Sequence, residues 1–95
     1  MQKINKILEY LGDPYDIRVL DGEECIHRDL GEYEFEVSGA CGKKCTLYVW
    51  QSSPRVIAGI YGNIPAEHLK DVLGYYACLY QNLLAGIQAE RQETV

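Results

Sequence analysis

The chain has 95 residues, of which 47% are hydrophobic and 24% charged, and its formal net charge at pH 7 is −5. That length predicts one domain over residues 1–95, with enough chain to bury a core, and the composition excludes disorder. The nine Lys and Arg are scattered, and only Lys43 and Lys44 are adjacent, which argues against a phosphate-binding surface.

The opening MQKINKILEYLGD lacks a continuous apolar core and a small-residue cleavage site, and no run approaches a membrane span. The expectation is a cytoplasmic protein with reduced thiols. Ile4, Ile7, Leu8 and Leu11 fall on one helical stripe, so residues 3–11 are predicted helical, ending at Gly12 before Pro14.

The period then changes to two. Tyr15, Ile17 and Val19 alternate with polar neighbours, and Asp21-Gly22 is a two-residue hairpin signal. A weaker strand is predicted over 24–30. In GEYEFEVSG, Tyr33, Phe35 and Val37 face one way and Glu32, Glu34 and Glu36 the other. A turn near 39–44 precedes a strand over 45–51, and SSPR is a turn before a fifth strand over 55–62. Short links predict an antiparallel meander.

After Pro65 the chain becomes helical. Leu69, Val72, Leu73, Tyr76, Tyr80, Leu83, Leu84 and Ile87 form one broad stripe. The order of elements predicts an α+β fold: an antiparallel sheet of four to five strands, with a short N-terminal and a long C-terminal helix on one face. A helix of about 25 residues spans about 38 Å, while strands of about six residues span about 20 Å. The long helix should therefore overhang the sheet, and either the first helix or a second copy of the chain should cover its far stripe.

Cys41 and Cys45 are separated by three residues, within the range for a zinc ligand pair. Their partners would be Cys25 and His27, an unusual second pair. Cys45 also fits the inward register with Leu47 and Val49, where a free thiol packs as a small hydrophobe. The reading is packing, without a metal. EECIHRD brings Cys25, His27, Glu23 and Asp29 within seven residues, but neighbours two apart on a strand are about 6–7 Å apart. No nucleophile elbow, phosphate loop or cofactor fingerprint accompanies them, so neither an enzyme nor a cofactor is expected. His27 reads as an edge histidine on a charged strand.

The sharpest functional signal is a sheet face. If Cys45, Leu47 and Val49, with Val56, Ala58 and Ile60, pack under the helices, then Tyr48, Trp50, Ile57 and Tyr61 share the opposite face. Glu34 and Glu36 would flank them. Exposed aromatics anchor interfaces, and carboxylates beside them favour a protein partner over nucleic acid.

The phrases IRVLDG, EYEFEVSG and TLYVWQ, followed by a leucine- and tyrosine-rich helix, resemble short uncharacterised proteins carried on integrative and conjugative elements of gut clostridia. The resemblance covers about residues 15–85. It implies a bacterial cytosolic accessory protein and transfers no functional residues. Helix, strands, helix is also the order of the double-stranded RNA-binding domain, but the second helix here starts PAEHLKD and lacks that fold's basic start.

Three functions compete. The first is a protein-interaction or regulatory module acting through the aromatic face or the long helix, with homodimerisation through that helix. The second is an acidic inhibitor that imitates nucleic acid to block a nucleic-acid-binding protein. The third is a small zinc or thiol protein built on Cys25, His27, Cys41 and Cys45.

Overall fold

Asp21 and Gly22 both have positive φ, 53° and 80°. A tight two-residue hairpin turn that follows strand twist requires this of both central residues, and glycine adopts it without steric cost. The turn joins β1 (Asp16–Leu20) to β2 (Glu23–Asp29) and pairs Leu20 with Glu23. β3 (Tyr33–Ser38), β4 (Lys44–Ser52) and β5 (Arg55–Pro65) follow through similarly short links. In this computed structural model, residues 3–40 and 42–93 are described, and side chains over 4–40 and 42–86.

The five strands form one antiparallel sheet in the order β1-β2-β3-β4-β5, and the fold is α+β as expected. β2 is complete and lies inside the sheet between β1 and β3. The expectation of an edge histidine is therefore wrong at the level of topology, because the preceding strand covers that edge.

One face is the core. Ile26, Phe35, Val37, Leu47 and Val49 are fully buried there. α2 (Leu69–Glu93) enters through a short 3-10 turn, Ala66–His68, and lays Leu69, Leu73, Ala77 and Tyr80 on them. Those spacings of four, four and three keep one stripe of a 3.6-residue helix on the sheet. α1 (Lys3–Leu11) adds Ile4 and Leu11 to the same cluster and ends at Gly12, whose N–H donates to the Leu8 carbonyl at 2.8 Å.

α1 packs beside the first turn of α2, where Lys70 Nζ lies 5.3 Å from the Tyr10 ring centroid. It does not cover the far part of α2: Leu83 is 48% exposed and Leu84 half-buried. Of the two covers expected for that stripe, the first helix is thus excluded at Leu83. The side chain of Ile87 lies outside the described residues.

The pairing of β4 with β5 slips twice. Val49 pairs with Gly59 but Trp50 with Ile57, so Ala58 is an extra residue; a second shift lies between Cys45, opposite Ile64, and Leu47, opposite Tyr61. Each inserted residue reverses the facing of everything beyond it. This corrects the expected facing of β5. Tyr61 lies on the helix face opposite Leu47, and Ile60, expected inside, lies opposite Tyr48 on the other face. Val56 and Ala58, also expected inside, are exposed.

Candidate functional site: the open face of the sheet

Neither helix covers the second face. β1 places Asp16, Arg18 and Leu20 there, and β2 places Glu23, Cys25 and His27. β3 adds Glu34 and Glu36, each opposite an aromatic ring of β4: Glu34 faces Trp50, and Glu36 faces Tyr48. Ile57 and Ile60 of β5 border the aromatics. Of the four apolar residues expected on this face, Tyr48, Trp50 and Ile57 are present, and Ile60 takes the place of Tyr61.

The face is hollow. One depression of about 200 Å³ is lined by Arg18, Leu20, His27, Glu34, Glu36, Trp50 and Arg55. A second of about 390 Å³ runs from Asp21, Glu23 and Cys25 past Glu36 to Tyr48, Trp50, Ile57 and Ile60. The two share Leu20, Glu36 and Trp50, so they meet over Glu36.

His27 is only 5% exposed at the floor. Its Nδ1 is 3.1 Å from Asp16 Oδ1. A carboxylate only accepts, so Nδ1–H donates, and in the neutral ring Nε2 carries the lone pair. Nε2 has no hydrogen-bond partner, and the Glu34 carboxylate is 3.9 Å away. Trp50 Nε1 is likewise buried and unpaired.

Arg55 shows what this surface holds. Its guanidinium carbon lies 4.5 Å from the Trp50 ring centroid, and its Nη1 donates to Glu34 Oε2 at 2.7 Å. Stacking plus a charge-assisted hydrogen bond is a typical guanidinium seat. Glu36, one pair further along, makes no hydrogen bond or ion pair among the described residues. Burial raises its pKa above the ordinary carboxyl value of 4.5, against the lowering influence of Arg55 and of His27, which pairs with it across β2 and β3.

Cys25 is 2% exposed, and burial, with the charges of Glu23, Glu36 and Asp21, pushes its thiol up to about 11. It is a thiol at neutral pH, and cysteine chemistry requires the thiolate. Cys45 lies on the helix face, its Sγ donating to the Ile64 carbonyl at 3.4 Å. The four residues considered as zinc ligands are thus divided: Cys25 and His27 are on the open face, Cys45 is on the other, and Cys41 lies outside the described residues. No three His, Cys, Asp or Glu among the described residues are placed to hold a metal ion.

Asp16, Leu20 and Arg55 are absent from the sequence-predicted site, and His27 entered it only as a possible zinc ligand. A signal for two of them existed. Counting outward from the Asp21-Gly22 turn pairs Asp16 with His27 directly. Ile60 carried no such signal, because its placement depends on the bulge at Ala58.

Comparisons with protein-family models, curated proteins and solved structures find no match to this chain. Among the described residues, no helix is long and apolar enough to cross a membrane.

Proposed function

We propose that this chain is a small protein-interaction module that binds a protein partner through the open face of its sheet. The resemblance to mobile-element accessory proteins adds a bacterial cytosol as its setting. One observation carries the reading: a hollow face uncovered by either helix sets Glu34 and Glu36 opposite Trp50 and Tyr48. Aromatic rings suit the centre of an interface, and the carboxylates beside them, Glu36 without a partner among the described residues, select a partner with Arg or Lys. Imitation of nucleic acid is less well supported, since Arg18 and Arg55 interrupt the acidic stripe.

Capture of a partner from a bacterial lysate, with wild type beside Trp50→Ala and Ile60→Asp, tests this. Ile60 is 58% exposed, so its replacement should leave the fold intact. Both variants are expected to lose the captured protein while retaining a cooperative thermal transition. Undiminished capture by both overturns the reading.

A further inference from the structure

Across β3 and β4 the sheet repeats one unit, a glutamate directly opposite an aromatic ring. In Glu34 opposite Trp50, the chain's own Arg55 lies over the ring and bonds the carboxylate at 2.7 Å. In Glu36 opposite Tyr48, no cation of the described chain pairs with the acid. The larger depression opens there, and all its charged lining residues are acidic: Asp21, Glu23 and Glu36. Glu23 is already engaged, accepting from Ser38 Oγ at 3.1 Å and from the Gly39 N–H at 3.2 Å. Arg18, the other cation of the face, lies 3.9 Å from Asp16.

An independent group points to the same kind of ligand. His27, more than nine-tenths buried, leaves Nε2 without a partner in the smaller depression, which shares Glu36 with the larger one. In the neutral ring, with Nδ1–H bound to Asp16, Nε2 is an acceptor. Acceptors collected on one floor call for a ligand rich in donors and positively charged. The walls of Leu20, Tyr48, Ile57 and Ile60 suit an aliphatic stem and a flat cationic head.

We infer that the Glu36–Tyr48 unit is a seat for an arginine side chain of the partner polypeptide, resting on the interaction-face reading above and built like the seat Arg55 already fills. The guanidinium bonds Glu36 and lies against Tyr48, its remaining donors turned toward the His27 side. Arginine is favoured over lysine because a planar head can lie over the ring while donating to the carboxylate, as Arg55 does here.

The protein's single tryptophan gives one indole N–H signal at the rim of this seat, so a titration followed by NMR reads it directly. The probe is acetyl-Gly-Arg-Gly-amide, with lysine and citrulline versions beside it. The arginine peptide is expected to shift the Trp50 indole and the Glu36 and Tyr48 amides saturably, with Kd of about a millimolar. Citrulline, which keeps the shape and loses the charge, and Glu36→Gln with the arginine peptide should each bind at least about tenfold more weakly. Equal binding of citrulline, equal binding of lysine, or a Glu36→Gln variant that binds as wild type each overturns the arginine seat. Partner capture that depends on Trp50 with no Glu36-dependent peptide binding overturns this seat alone. Capture indifferent to both Trp50→Ala and Ile60→Asp overturns the interaction face, and the partner's arginine with it.

Discussion

A Cβ atom at position 59 would lie 2.7 Å from the hydroxyls of both Tyr61 and Tyr80. Those hydroxyls bond each other at 2.7 Å, and Tyr61 stacks on Tyr76 with centroids 4.0 Å apart, so the rings cannot easily withdraw. Burial and that hydrogen bond hold the Tyr80 hydroxyl above its ordinary pKa. Gly59→Ala is expected to cost about 1–3 kcal/mol in urea unfolding, as overpacking does, and adding Tyr80→Phe should recover part of the loss. Glu36 works in the opposite direction. Its folded pKa is raised, so the folded state binds the proton more tightly than the unfolded chain. Stability therefore falls as pH rises from 4.5 through that raised value, and the penalty is fully present above it. Glu36→Gln should melt at or above wild type at about pH 7, and lose that advantage at about pH 4. A binding carboxylate kept at a cost to stability behaves this way. Thiol accessibility gives a third check. Burial raises the pKa of Cys25 and Cys45, while Cys78 is exposed. In a Cys41→Ser background, iodoacetamide at about pH 8 should label one site by mass, Cys78, well before the other two.

At the scale of elements, α2 has two unlike parts. Leu73 is fully buried on the sheet, whereas Leu83 is 48% exposed. Leu73→Ala should cost about 2–5 kcal/mol, the range for a core leucine, and Leu83→Ala within about 0.5 kcal/mol in the isolated chain. Between them, Gly74 is exposed, and a Cβ there would meet nothing within 4 Å. Gly74→Ala should therefore stabilise by about 1 kcal/mol through helix propensity alone. Thermal or urea denaturation of the three variants side by side checks all of these, and a large loss at Leu83 would mean that something in solution covers it. The strands were legible because alternation and the Asp21-Gly22 turn both act locally. The facing of β5 was not, because Ala58 is extra only with respect to its partner strand. Nothing in RVIAGIYG marks one of its residues as unpaired.

The whole molecule is a sheet with two unlike faces, one closed by helices and one hollow and acidic, on a chain of net charge −5. Long-range attraction of a basic partner to such a face speeds association and is screened by salt. Association of the captured partner should slow as salt is raised from about 0.05 to 0.5 M, with dissociation changing less. A stopped-flow measurement on the Trp50 emission reads both rates. The site was half legible at this scale. Tyr48, Trp50, Ile57, Glu34 and Glu36 follow from strand alternation, while the burial of His27 follows from its place inside a five-stranded sheet.

The sequence by itself determined the order and type of the elements and the meander. These rest on periodicity and turn chemistry, which neighbours along the chain decide. Only the tertiary structure decided that β2 is fully formed, which face of the sheet is buried, that Tyr61 packs against the core while Ile60 lies on the open face, and that Arg55 reaches the Glu34–Trp50 unit. Those outcomes depend on registers between strands, where one inserted residue reverses a face. The same registers leave Glu36 opposite Tyr48, an acid and a ring paired across the sheet with no cation of the described chain bound to the acid.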